Sequence, residues 1–448
     1  MPPDKAGIIP RLYPSTGSPV NPTPAVNTLR PSACPGLLRI VQALDGGICR
    51  VKLAGGAITA VQAHAVADAA QAYAGGVIEA TNRANLQIRG IGAEQEALIA
   101  RLLAAGLGPS NAGGDDVRNL MLSPSAGIDP QMLFDTRPLA AQILATLENH
   151  PRFHELSAKF AVQLDGGEDL AMLEHHHDLW LSAFVQHGET LLAFGLAGCP
   201  GLDAPLAAVP LDQGHGLVVA VLEAFLDLAT PEQTRMRHLP VDNVLSHLRL
   251  PLLPIDGFTR PPSDPSLQVG TYPQAQKNQF YVAALAPLGR LDPTMLKGAA
   301  QLASDYGDGT LRFTPWQGVL VPNVEKPHAV TERLAQLGFI CSVAHPLARM
   351  IACTGSSGCA KGLADTKADA VQLAAQQPGV GVHLSGCPRS CAAAHTAPVT
   401  LLAVNPGHYD LYFRDAAQPG FGRLHARTLS IEAAGALLRA RPRSNTDD

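Results

Sequence analysis

Apolar and polar residues alternate from Ile48 to Leu53 (Ile-Cys-Arg-Val-Lys-Leu), the period of a half-buried strand, and Gly55-Gly56 closes the run. An Ala-rich stretch with apolar residues at helical spacing follows from Ile58 to Tyr73, and Gly75-Gly76 stops it. Val77 to Ile91 reads as a strand with a turn at Asn82, and a second helix is predicted from Glu94 to Ala105. The same order returns later in the chain, with a strand over Tyr281–Leu285, a helix over Asp292–Tyr306 and a strand over Thr310–Val321. Further strands are predicted over Leu179–Val185, Leu191–Leu196 and Val399–Val404.

The repetition extends to residue identities. The shift that sets Thr81 against Thr314 also pairs Ile58 with Leu291 and Ile88 with Val321. A second alignment matches Arg118–Gly127 to Arg349–Gly358, and a third matches Val162–Gly167 to Val382–Cys387. Three aligned segments in one order indicate an internal duplication. Between the copies, 250–273 is rich in proline and reads as a linker, and 1–32 is Pro-rich without periodicity and reads as an extended or disordered arm. The expected division is therefore a first half-domain over 33–108, a first α/β domain over 109–249, a second half-domain over 274–343 and a second α/β domain over 344–442.

A chain of 448 residues is too long for one simple core. Its 46% hydrophobic and 16% charged residues describe extensive burial, and a net charge of −5 gives no reason to expect nucleic acid as a partner. No apolar run approaches the about 18 residues of a membrane span, and no signal peptide is visible. Eight cysteines, half of them in one motif, suit a reducing cytoplasm better than a disulfide scaffold.

That motif is Cys353-Thr-Gly-Ser-Ser-Gly-Cys359 with Cys387-Pro-Arg-Ser-Cys391, two pairs spaced C-x5-C and C-x3-C among small residues. Four thiolates are what a [4Fe–4S] cluster requires. Structural zinc, which favours shorter C-x2-4-C knuckles, and buried structural thiols are the alternatives. The cysteines belong to the second copy alone, where Leu122 and Gly167 of the first copy face Cys353 and Cys387. Cys34, Cys49, Cys199 and Cys341 have no ligand-like neighbour in sequence and read as packing residues.

The cysteine pattern resembles the cluster motif of the siroheme-dependent sulfite and nitrite reductases. The wording of 362–370 and 383–387 is more similar to one branch of that family, the precorrin-3B synthases of aerobic cobalamin biosynthesis. The resemblance implies an α/β (α+β) fold of the duplicated nitrite/sulfite reductase type, in which two ferredoxin-like half-domains join into one domain beside two larger α/β domains around a central cleft. It also implies that Cys391 bridges the cluster to the siroheme iron wherever siroheme is bound.

On strands, Arg50 and Lys52 share a face, as do Thr81 and Arg83, and such rows suit a ligand with many carboxylates, though solvated charges at strand ends look the same. The resemblance places Arg50, Arg83, Gln87, Arg118 and Lys159 where the reductases hold tetrapyrrole carboxylates or the distal anion. It implies catalytic roles for Arg50, Arg118 and Lys159, which are also expected to contact substrate with Arg83 and Gln87, and the strand-face reading adds Lys52 to those contacts. At Lys159-Phe-Ala161 the reductases carry K-F-K, so one of their two active-site lysines is missing here. The run His175-His176-His177-Asp178 reads as a polar surface loop, with a metal or substrate contact through His177 or Asp178 as the alternative, because consecutive strand residues point to opposite faces.

The synthase branch implies oxygen-dependent hydroxylation of precorrin-3A at C20 with closure of a γ-lactone. Its expected cofactors are the cluster and a non-haem iron whose ligands the sequence does not assign. Its partners would be precorrin-3A, dioxygen and an electron donor, either reduced nicotinamide through a reductase or a ferredoxin. A siroheme-dependent sulfite or nitrite reductase is the rival, and a non-catalytic tetrapyrrole-binding or electron-transfer protein a more distant one.

Overall fold

The computed structural model describes Arg30 and residues 33–415, 417–418 and 420–441. The first half-domain sets strands Val41–Ala43, Gly46–Val51, Leu86–Ile91 and Val77–Ala80 side by side under helices Ala60–Tyr73 and Gln95–Ala104. The second repeats it with strands Gly270–Pro273, Phe280–Leu285, Gly318–Val324 and Thr310–Phe313 under helices Pro293–Tyr306 and Pro327–Gln336.

Neither sheet is complete within its own copy. Ala57–Thr59 of the first half crosses to pair antiparallel with Thr310–Phe313 of the second, and Arg290–Leu291 of the second crosses to pair with Val77–Ala80 of the first. The exchanged residues Ile58 and Leu291 are the ones the duplication sets against each other. One core, including Ile58, Val66, Ile78, Leu291, Leu296 and Leu311, runs through both halves and makes them a single domain. The helix expected from Ile58 begins instead at Ala60: Thr59 caps it, accepting from Gln62 N–H while the Gln62 side chain accepts from Thr59 N–H. An N-cap residue keeps extended backbone, which leaves Ile58 free to pair with Leu311.

The two larger domains also repeat. Leu120–Met121, Val162–Asp165 and His177–Gln186 run parallel, then Glu189–Gly198 and Ala207–Pro210 continue antiparallel. In the second copy Met350–Ala352, Val382–Ser385 and Val399–Asn405 run parallel, followed by antiparallel His408–Phe413 and Arg423–Ser430. Helices Arg137–Asn149 and Gly214–Leu228 cover the first sheet, and Thr366–Ala375 and Ile431–Ala440 the second.

The Pro-rich segment 250–273 is more than a linker. Leu253 bridges to Ala208, Ile255 and Phe258 pack on Phe184, and Arg260 is buried in an ion pair with Asp165 at 2.7 Å. Its last four residues form the edge strand of the second half-domain, where Pro273 is tolerated because an edge leaves one side of the backbone unpaired. The arm expected over 1–32 lies outside the described residues apart from Arg30. That side chain is buried, donates to the carbonyls of Glu155, Ala229, Thr230 and Gln233, and stacks on Phe225. No helix among the described residues is long and apolar enough to cross a membrane.

Candidate functional site

Two loops of the second α/β domain carry the cysteine pairs, one after strand Met350–Ala352 and one after strand Val382–Ser385. These strands are parallel neighbours, so both loops leave the same sheet edge. All four thiols are free, with Cys353, Cys359 and Cys387 half-buried and Cys391 exposed. They converge: burial and then the charges of Cys387, Cys353 and Cys359 raise the pKa of Cys391. Gly386 N–H donates to Cys353 Sγ at 3.2 Å, the kind of backbone contact that stabilises a cluster thiolate.

The spacing of these sulfurs tests which metal fits. Among the described residues no three of the four bring their Sγ atoms within 4.8 Å of one another. A single tetrahedral zinc needs sulfurs about 3.8 Å apart, given Zn–S bonds of about 2.3 Å. The sulfurs are therefore not drawn in around a single zinc, and four free thiols on two neighbouring loops, Cys353, Cys359, Cys387 and Cys391, are the donor set that fits a [4Fe–4S] centre.

Groups far away in sequence set these loops. Arg89 grips Asp45 through two bonds of 2.9 Å and donates to Gly358 O at 3.1 Å, fixing the residue before Cys359. A Cβ on Gly358 would lie 2.6 Å from Asp45 Oδ2, so only glycine allows that approach. Glu79, from the first half-domain, accepts from Arg290 at 2.9 Å and from the hydroxyl of Thr354, next to Cys353, at 3.2 Å. Burial works against the Glu79 charge, but Lys367, Arg89 and Arg290 outweigh it and hold the carboxyl below its usual range. Sequence reasoning missed Asp45, Glu79, Arg89 and Lys367, because each matters only through a partner in another segment.

The basic residues fall into two groups. Arg50, Arg83 and Arg235 gather near the cluster loops. Gln87, with its amide oxygen turned to Arg50, accepts from Nη2 at 2.6 Å and Nε at 3.1 Å. Arg50 is within electrostatic reach of Cys391, and Asn82, beside Arg83, donates to Cys391 O at 3.4 Å. Burial, then the charges of Arg235 and Arg50, lower the pKa of Arg83, whose guanidinium has no hydrogen-bond partner among the described residues. An unpaired, half-buried guanidinium beside two others has the charge and the free donors that a polyanion would satisfy. Arg235, which no local pattern flagged, is aimed by Asp178, both of whose oxygens lie 3.0 Å from its Nε.

Lys52 and Arg118 are not brought to this opening. Lys52 is buried, and its Nζ donates to Asp115 O at 2.6 Å and Asp116 O at 2.7 Å. Desolvation pulls its pKa down to about 7 against the opposing charges of Asp115 and Asp116. Arg118 is buried too, donating to Gly108 O and Leu107 O and pairing with Glu148 at 3.4 Å. Their donors go to backbone carbonyls that would otherwise be orphaned on burial. Lys159 is exposed, and Ala161 is buried with no ammonium to offer.

The histidine run is not a surface loop. His175 and His177 are buried and only His176 is exposed. Asp178 is fully engaged by Arg235, Met236 N–H and Ala161 N–H, and burial drives the His177 pKa down to about 3, which keeps that ring neutral. His175 Nε2 lies 3.0 Å from His395 Nδ1 with the rings stacked. The alignment that pairs Val162 with Val382 pairs these two histidines, and pseudo-symmetric mates meet only near the axis. The contact therefore marks the pseudo-twofold.

Across that axis lies a cavity of about 930 Å³, lined among others by Met172, Leu285, Trp316, Met350 and His395. The duplication sets Leu285 against Lys52, Trp316 against Arg83 and Ala171 against Cys391, so this cavity is the counterpart of the basic cleft, with an indole where that cleft has Arg83 and with Arg260, Arg349 and Arg414 elsewhere on its wall.

Comparison with known proteins follows the same duplication. The nitrite/sulfite reductase ferredoxin-like half domain matches twice, at 41–106 and 272–336. The nitrite and sulphite reductase 4Fe-4S domain matches 113–240, the copy without the cysteine motif. A chloroplastic ferredoxin–nitrite reductase of Zea mays is 31% identical over 387 residues, covering 78% of this chain and 68% of that protein. A precorrin-3B synthase of Sinorhizobium sp is 27% identical over 400 residues, covering 88% of this chain and 84% of that protein. The Mycobacterium tuberculosis NirA protein shares the fold at a TM-score of 0.73 and 22% identity, over 88% of this chain and 79% of that one. Exchanged half-domains, a doubled α/β unit and identity carried over two thirds of a plant reductase agree: the chain belongs to the nitrite and sulfite reductase family.

Proposed function

We propose that this oxidoreductase binds precorrin-3A between Arg50, Arg83 and Arg235 on one side and the cysteine loops on the other, and that it hydroxylates the macrocycle at C20 with closure of a γ-lactone. The observation that carries the reading is the redistribution of cations. Arg83 is free to grip carboxylate, whereas of the groups a reductase would aim at a small oxyanion, Arg118 is committed to Leu107, Gly108 and Glu148 and position 161 is alanine. Reduction of an oxyanion needs cations and acids at the distal face. A site that keeps Lys159 but lacks a second lysine and a free Arg118 suits a large polycarboxylate substrate better. The correspondence with a precorrin-3B synthase over 88% of this chain and 84% of that protein points the same way.

Under this reading Arg83 supplies a two-pronged grip on one carboxylate, Arg50 a second held in place by Gln87, and Arg235 a third oriented by Asp178. A cluster held by Cys353, Cys359, Cys387 and Cys391 would supply single electrons, and a non-haem iron, to which no residues are assigned, would supply oxygen activation. The balance is one substrate, one dioxygen, two electrons and two protons giving a product with one added oxygen atom and one water. Electrons would come from a ferredoxin or from reduced nicotinamide through a reductase.

The second reading, a siroheme-dependent nitrite or sulfite reductase, is favoured by the 31% identity with a nitrite reductase. Anaerobic purification followed by absorption and mass spectrometry separates the two. The synthase reading expects a broad shoulder without a Soret-type band, and label from ¹⁸O₂ in the product of added precorrin-3A. Tightly bound siroheme with turnover of nitrite or sulfite would overturn it in favour of the reductase.

A further inference from the structure

Cys199 lies at the far end of the first α/β domain's longest hairpin, and Gly201 of the turn that follows it borders the second cavity. In the pairing of His177–Gln186 with Glu189–Gly198, His177 stands opposite Gly198, so the next step outward sets His176 opposite Cys199. Residues opposed across an antiparallel pair have Cβ atoms about 5 Å apart. The chain then turns back on itself: Asp203 N–H donates to Cys199 O at 3.1 Å, and Cys199 N–H donates to Asp203 Oδ2 at 2.8 Å. This closed turn returns the Asp203 carboxylate to the thiol. A Cβ at Gly198 would sit 2.4 Å from Asp203 Oδ2, so glycine is required for the carboxylate to fold over the strand end. Ala197, just before it, has a left-handed backbone (φ 55°), a conformation that costs energy in a residue with a Cβ and concentrates at functional sites.

One nitrogen, one sulfur and one oxygen donor result, from His176, Cys199 and Asp203, all within 4.8 Å of one another. A tetrahedral zinc holds such donors roughly 3.5 Å apart, so closing on an ion asks only for small side-chain shifts. His176 and Asp203 are exposed and Cys199 is buried, which gives an ion a route in and leaves one position open to water.

We propose that His176, Cys199 and Asp203 form a site for one divalent first-row transition metal of the zinc class, with water as the fourth ligand. Mixed thiolate, imidazole and carboxylate donors select this class over calcium or magnesium, which take oxygen ligands. This site needs neither the tetrapyrrole nor the iron–sulfur cluster. Because His176 is flanked by His175 and His177, an ion here would brace the loop that separates the two clefts.

The test uses the cluster-loaded protein. After chelation of weakly held metal, cobalt(II) is titrated in and followed by difference absorption, with zinc content measured in parallel. One cobalt per chain is expected, with intense d–d bands of tetrahedral cobalt and a thiolate-to-cobalt charge-transfer band, all displaced by zinc. Cys199→Ser should abolish the charge-transfer band and leave cluster iron and sulfide unchanged. His176→Ala, at an exposed position, and Asp203→Asn, which keeps an oxygen to accept from Cys199 N–H, should each weaken cobalt binding by about a hundredfold, since losing even an outer partner of a metal ligand costs ten- to a hundredfold. Cobalt binding without a charge-transfer band, or with spectra and affinity unaltered in His176→Ala and Asp203→Asn, would overturn the site.

Discussion

On one side of the pseudo-twofold the chain presents Arg50 and Arg83 and buries Lys52; at the corresponding places on the other side it has Trp316 and Leu285 in the cavity wall and Ala283 buried. The cysteine loops follow the same division, with Cys391 on one side and Ala171 on the other. The strands beneath both clefts share one plan down to the order and direction of pairing. A duplicated backbone thus fixes the shape of two openings while leaving their chemistry independent. In the second opening Trp316 packs toward Tyr281, Val269 and Leu285, joining neighbouring apolar clusters. Side chains there add to stability, whereas unpaired Arg83 opposite detracts from it, as groups kept ready for a ligand do.

The largest break in this comparison should come from the cysteines. Cys387→Ser is expected to lose the cluster, with iron, acid-labile sulfide and the broad visible shoulder falling together. Full retention of iron and sulfide would erase the distinction between the copies.

Arg118→Ala should then lower stability by about 3 kcal/mol, because it leaves Glu148 and two buried carbonyls without their donor. Denaturant unfolding measures this. Tetrapyrrole affinity per folded molecule should change less than twofold, and a large affinity loss would return Arg118 to the cleft.

Arg83→Ala should weaken binding of a polycarboxylate tetrapyrrole ten- to a hundredfold, about 1.5–3 kcal/mol for a charge-assisted contact. Arg83→Lys should restore only part, since an ammonium lacks the fork. Trp316→Ala, its mate, should leave affinity within twofold. Equal losses from Arg83→Ala and Trp316→Ala in an equilibrium titration would mean that the clefts are not divided by charge.

The last effect is a slope, small for each pH unit. With its pKa near 7 when folded against 10.5 when unfolded, Lys52 is deprotonated in the folded state but still protonated in the unfolded state across that interval. The unfolded chain then binds the extra proton, so stability rises with pH between about 7 and 10.5, by at most about 1.4 kcal/mol per unit. Lys52→Leu, which copies position 285, should flatten the slope in chemical denaturation at stepped pH. An unchanged slope would assign it elsewhere.

The duplication was legible because glycine turns and apolar periods survive in both copies, and the cluster motif because its four residues lie in two short loops. The exchange of Ala57–Thr59 and Arg290–Leu291 was not, since a three-residue extended piece has no period of its own and borrows its pairing from the other copy. Arg50 and Lys52 share a strand face in sequence, yet only Arg50 reaches the cysteine loops; the carbonyls that claim Lys52 belong to a turn 63 and 64 residues away. His175 and His177 read as polar loop residues because what buries them is the opposite copy and the arginines around Asp178. Arg235 carried no signal, since its role exists only through Asp178, 57 residues earlier.

The strand exchange also bears on how the chain is made. Val77–Ala80 leaves the ribosome with one edge unpaired, and the strand that covers it, Arg290–Leu291, follows about 210 residues later. At the usual pace of synthesis that is a wait of roughly 10–40 s. During that time a β-edge containing Val77 and Ile78 stands open to other nascent chains on the same message. Heterologous production should therefore be limited by the interval between the two halves rather than by the stability of the finished domain. Slowing initiation, or supplying a chaperone that shields strand edges, should raise soluble yield more than stabilising substitutions in the shared core.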